Sequence, residues 1–351
     1  MRITRARAIA FALPAATAML LAACSSSPSD AGTNGDDGAS DGLTELSIQL
    51  SFVPTAQNLG DILALENGYF EEAGFDPVNL VPGPTAVEAS VATGNVHVGQ
   101  STAFTTANAI VNSEMDLRII ATGLQTNPFT ILSLEENPIS TPADLEGKRI
   151  GVAAGTAETL VRGLAAANDV DADTITFVPA EGNPALLTNG EVDGYFGLET
   201  NELIVLQRDW DNIVSLPLAE NGVPFSSQSM IVTPEMIEEN RDLLKRYLVA
   251  EIRGWIDAHE DLEGAVDLLV TDHGSNLGLT HEVAFPQGEV VLRLMEPAHD
   301  EGIFYLDAAG IEANIDAIAQ TGIDIDADTL FDMSLLEEVY AENPELLEAQ
   351  R

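Results

Sequence analysis

The chain of 351 residues contains one cysteine, Cys24, so no disulfide can form within it. Basic residues are scarce too: 14 Lys and Arg face 57 Asp and Glu, the formal net charge is −43, and Lys148 and Lys245 are the only lysines. Contact with a phosphate backbone needs clustered basic surface, which excludes nucleic acid as a partner. An acidic shell of this size keeps a protein soluble and suits a salty habitat, without defining a partner. The five histidines lack the spacing of metal ligands, so neither a metal nor a cofactor is expected. Carboxylate pairs of the kind used in glycoside hydrolysis occur throughout and therefore select nothing.

What is present begins with Arg2, Arg5 and Arg7, followed by an apolar run from Ala8 to Ala23 that is too short for a membrane span. It ends in Leu21-Ala22-Ala23-Cys24, which resembles a bacterial lipobox and implies diacylglycerol on the Cys24 sulfur after cleavage before it. Residues 25–42, rich in Ser, Gly, Asp and Asn, have nothing to bury and read as a tether reaching about 25 Å. The expectation is a signal peptide over 1–23, a lipidated cysteine and tether over 24–42, and a body held at the extracytoplasmic face of the cell membrane.

From Leu43 short β runs alternate with helical stretches, the pattern of βαβ units and a parallel-rich sheet. The rhythm occurs twice. Residues 92–104, ATGNVHVGQSTAF, and 187–199, LTNGEVDGYFGLE, both carry a Gly-x-Val-x turn into a brief strand that stops at a polar loop. Two extended apolar segments, 117–134 and 223–233, read as crossings between two α/β lobes, with a hinge and a cleft between them. The boundaries expected are 43–126 for the first part of lobe 1, 127–228 for lobe 2, and 229–351 for helices that return to lobe 1.

The stretch LALENGYFEEAGFD, residues 63–76, resembles the substrate-binding proteins of ABC importers, in the group that handles nitrate, sulfonates, taurine and thiamine-pyrimidine precursors. Four more matches follow in family order: ATGNVHVG (92–99), STPADLEGKRIGV (140–152), NGEVDGYFG (189–197) and SQSMIVTPEMIEENRDLLKRYL (227–248). The resemblance implies a type II periplasmic-binding-protein fold, a small-molecule ligand, and an ABC permease with a separate ATPase as partner, the competing class being a sensory receptor that uses the same fold without transport; a monomer is expected. Many relatives have a His where this chain has Asn58, which can hydrogen-bond but cannot titrate. A eukaryotic pyrimidine synthase shares the resemblance, but combines such a His with a cysteine-rich segment that this chain lacks.

Loops after strands, helix starts and crossings supply the candidate ligand residues: Phe52, Gln57, Asn58, Gln100, Ser101, Thr102, Asn127, Phe129, Thr156, Tyr195, Glu199, Asn201, Phe225 and Gln228. These loops hold no Lys or Arg. Amides with aromatics suit a flat, neutral or weakly basic heterocycle, such as a pyrimidine. A sulfonate or nitrate would meet an Arg fork more comfortably, although a helix start such as Gly155-Thr156 can hold an anion through backbone N–H groups. The competing reading for each Phe is core, and for each amide loop capping. Gly99-Gln100-Ser101-Thr102-Ala103 imitates a hydrolase nucleophile elbow, but its fifth residue is Ala, no oxyanion signature precedes it, and Ser101 reads as a helix N-cap. No catalytic residue is expected.

Overall fold

The computed structural model describes residues 45–350 apart from 84–85, 154, 181 and 298. Cys24 and the segments expected to be signal and tether lie outside the described residues. Among the described residues no helix is long and apolar enough to cross a membrane.

Among the described residues, ten strands form two mixed sheets. The first comprises β1 (Leu46–Gln49), β2 (Val78–Val81), β3 (Val98–Ser101), β4 (Arg118–Leu124) and, from much later in the chain, β10 (Ser227–Val232), in the order β2-β1-β3-β10-β4. The second comprises β5 (Phe129–Leu134), β6 (Arg149–Val152), β7 (Thr176–Pro179), β8 (Gly194–Leu198) and β9 (Ile213–Pro217), in the order β7-β6-β8-β5-β9. Each has three parallel strands followed by an antiparallel one, β10 beside β3 and β5 beside β8. The order is the same in both. This is the periplasmic-binding-protein architecture expected from the sequence. The chain crosses between the sheets twice, from β4 to β5 and from β9 to β10.

The paired turns seen in the sequence have one physical cause. Gly94 and Gly190 stand at φ 69° and 72°, where a side chain would be strained, and each turns the chain into the third parallel strand. His97 N–H donates to the Ser47 carbonyl at 3.0 Å, and Asp193 N–H to the Arg149 carbonyl at 2.8 Å. Their side chains return the bond: His97 Nδ1 accepts from Ser47 N–H at 3.0 Å, and an Asp193 oxygen accepts from Arg149 N–H at 2.9 Å. The fourth residue of each turn thus clamps the start of the neighbouring strand and sets its register.

Three helices place the site. Helix α1 (Leu59–Glu66) follows β1; α2 (Arg241–Glu260) and α3 (His281–Met295) come from the segment expected to return to the first sheet. The α2 face formed by Leu244, Tyr247, Leu248, Glu251, Ile252, Trp255 and Ala258 is buried, a 3–4 spacing typical of a core-facing stripe. It crosses α1 closely because both crossing residues are glycine: a Cβ on Gly254 would come within 2.2 Å of the Gly60 carbonyl oxygen.

Candidate functional site

The polar loops at the carboxyl ends of β1, β3 and β8 meet. Thr55 caps a single 3-10 turn, Ala56–Asn58: its hydroxyl accepts from Gln57 N–H at 3.3 Å, and Asn58 Oδ1 accepts from Thr55 N–H at 3.3 Å. The turn projects Gln57, whose Nε2 donates to Thr200 Oγ1 at 3.1 Å, joining the first sheet's loops to the second sheet's. Gln228, at φ 52° on β10, donates from Nε2 to the Gln57 carbonyl. Glu199 and Asn201 flank Thr200 and are each met by α3: Arg293 donates to Glu199 Oε2 at 2.9 Å, and Gln287 Nε2 to Asn201 Oδ1 at 3.1 Å. Three successive residues after β8 therefore each hold a side chain from the other side. The loops carry no basic residue, but α3 brings one to them.

Behind Gln57 lies a buried polar group. Asn58 Nδ2 donates to Gln100 Oε1 at 2.9 Å and to Asp61 Oδ2 at 3.2 Å, and Gln100 Nε2 donates to Asp61 Oδ1 at 2.7 Å. Asp61 and Glu251 are both fully buried. Burial pushes the Asp61 carboxyl above its ordinary range, opposed by hydrogen bonds from Gln100 and Asn58; burial and then the Asp61 charge push Glu251 well above its own.

Several candidates have other surroundings. Phe225 is fully buried against Phe104 and Phe129, with ring centroids 5.9 and 6.0 Å away. Phe129 also stacks on Phe196 at 5.2 Å. Tyr195 lies in the second sheet's smaller core with Leu132, Leu187 and Val192, and burial lifts its hydroxyl to about 12. Asn127 donates to the carbonyls of Val223 and Phe225 at 2.6 and 3.3 Å, tying one crossing to the other. Thr156 is exposed at the start of helix Ala157–Ala167, and Phe52 is 55% exposed beyond β1. Ser101 is not the N-cap that the sequence suggests: it ends β3, its hydroxyl donates to Glu88, and Thr102 caps helix Ala103–Ser113 by accepting from Thr105 N–H at 3.0 Å.

Sequence reasoning missed Asp61, Glu251, Gln287 and Arg293, and within the loop after β8 it singled out Glu199 and Asn201 but not Thr200 between them. Glu251 alone carries a readable signal, an acid within the apolar stripe of α2. A cavity of about 270 Å³ lined by Trp255, His259, Met295 and His299 shares no residue with this group.

A family model described as NMT1/THI5 like matches residues 55–265. The formylaminopyrimidine-binding protein of Halalkalibacterium halodurans is 26% identical over 289 residues, covering 79% of this chain and 83% of that protein. The 4-amino-5-hydroxymethyl-2-methylpyrimidine phosphate synthase of Schizosaccharomyces pombe is 29% identical over 159 residues, 44% of this chain and 45% of that one. Among solved structures, the periplasmic aliphatic sulphonate binding protein of Escherichia coli superposes with a TM-score of 0.62 at 16% identity, over 79% of this chain and 86% of that one.

Proposed function

The chain belongs to the NMT1/THI5-like family, and from that membership we propose that it is the solute-binding protein of an ABC importer, closing on a small heteroaromatic molecule of the aminopyrimidine kind. The observation that carries this reading is the Glu199-Thr200-Asn201 turn, which sits at the carboxyl end of β8 and is held by side chains from the first sheet's side. In this reading residues 45–126 and 229–350 form one lobe and 127–228 the other. Phe52, Gln57, Phe129, Glu199, Asn201 and Gln228 line the cleft. Glu199 Oε1 accepts from an exocyclic amino group while Arg293 holds Oε2, and the rings supply a stacking face. Solute contacts from both lobes favour the closed state, which a permease with its ATPase recognises. A lipid on Cys24 keeps the protein at the extracytoplasmic membrane face.

The pyrimidine class draws support from the formylaminopyrimidine-binding relative. A sulfonate reading has one observation in its favour, Arg293, whose side chain is 56% exposed, but Glu199 already neutralises it. An enzymatic reading rests on the synthase relative over less than half the chain. Asn58, where a His would be needed, has both amide hydrogens engaged by Asp61 and Gln100.

A thermal-shift panel of aminopyrimidines, flavins, taurine, an alkanesulfonate and nitrate tests the proposal. An aminopyrimidine at 100 times its Kd stabilises the protein by about 2.7 kcal/mol. A shift with taurine or nitrate and with no heterocycle overturns the ligand class.

A further inference from the structure

Asp61 and Glu251 are two carboxyls buried side by side with no basic partner. Their meeting follows from the close α1–α2 crossing at Gly60 and Gly254, where a Cβ on Gly60 would collide with the Trp255 ring at 2.1 Å. The groups acting on Asp61 are the amides of Asn58 and Gln100 and the Glu251 carboxyl; those acting on Glu251 are Asp61 and the Tyr247 hydroxyl one turn earlier on α2. No Lys, Arg or His is among them. Both Glu251 oxygens and the Tyr247 hydroxyl are buried without a completed hydrogen bond, whereas Asp61 already receives two amide donors. Two bare carboxylates in such a place would repel each other without a counter-charge. One proton resolves this: with it on Glu251, that acid donates to Asp61, which then accepts three hydrogen bonds and needs no cation.

We propose that Asp61 and Glu251 share one proton as a buried carboxyl pair, and are positioning residues that fix the Thr55–Asn58 turn and so aim Gln57 across the cleft at Thr200. The path is continuous. Glu251 braces Asp61; Asp61 takes one hydrogen of Asn58 Nδ2 while Gln100 takes the other; Asn58 Oδ1 is thereby turned to Thr55 N–H, closing the turn from which Gln57 projects. The amide orientations are dictated by Asp61 being an acceptor on both oxygens. This rests on the cleft reading above for its effect on solute, though the shared proton itself does not.

Two isosteric carboxyl-to-amide substitutions separate this from a merely packed core. In Glu251→Gln the new amide N–H donates to Asp61 as the acid O–H does. In Asp61→Asn the new NH2 faces two amide donors. The probe is 4-amino-5-hydroxymethyl-2-methylpyrimidine, titrated calorimetrically into the full chain at pH 7 and pH 9, with the thermal midpoint read between these two values, above the His97 titration, in its absence. Expected are a Glu251→Gln affinity within about threefold of the parent and a loss of about tenfold or more for Asp61→Asn, the cost of an unmet buried donor. The parent midpoint falls as pH rises, because deprotonating the pair strands a second charge, and Glu251→Gln flattens that fall. Equal behaviour of the two variants, or a parent slope that Glu251→Gln leaves unchanged, overturns the proposal. Should the parent ignore the pyrimidine, the ligand class fails, while the midpoint slopes still decide on the shared proton.

Discussion

At the scale of single residues, side-chain chemistry is legible where it is local and illegible where it depends on a partner far along the chain. Gln57, Asn58 and Gln100 read as amides near a strand end, and the structure places all three in one hydrogen-bonded group. Arg293 stands 94 positions from Glu199, and no spacing rule connects them. Asp61 and Glu251 are hidden among 57 acids, although an acid at position 251 inside an apolar stripe is a local conflict that marks it. His97 gives a prediction of its own. Burial holds its imidazole below the ordinary 6.5, so the neutral ring can accept from Ser47. A depressed folded value means that this contribution is present above about 6.5 and is lost as pH falls through the folded value. Thermal midpoints should therefore drop on acidification from pH 7, and His97→Asn, which keeps an acceptor as Asp193 does in the second sheet, should drop less. An identical acid slope in the variant would contradict that role.

Elements were more readable than contacts. Period-2 runs and turn signals locate the strands, and the repeated Gly-x-Val-x turn reports that two sheets share one topology. The cap of helix Ala103–Ser113 is misread by one residue because Ser101 and Thr102 are equally good caps in isolation; the pairing of Ser101 with Ser229 keeps Ser101 in the strand. The α1–α2 crossing is not visible at all, since its glycines are separated by almost two hundred residues. It has a measurable consequence. Gly254→Ala gains up to about 1 kcal/mol of helix propensity, yet drives a methyl into the Gly60 carbonyl, a clash costing about 1–3 kcal/mol. Urea unfolding should show net destabilisation; a variant as stable as the parent would mean the helices do not cross this closely.

For the whole molecule, the two sheets and two crossings explain why the candidate site gathers at strand ends. Neither sheet alone supplies both Gln57 and Thr200, and the helices that return to the first sheet complete the set with Gln287 and Arg293. The negative charge is spread across the chain and points to no partner, so under the proposed function solute recognition would rest on a few hydrogen bonds and rings. The most direct measurement is calorimetric titration of 4-amino-5-hydroxymethyl-2-methylpyrimidine into the parent chain and into Glu199→Ala and Asn201→Ala, with urea unfolding as the control for folding. Saturable one-to-one binding, weakened about tenfold or more in both variants at little cost in stability, is the predicted result. Unchanged affinity in both variants would contradict a solute held at the turn after β8.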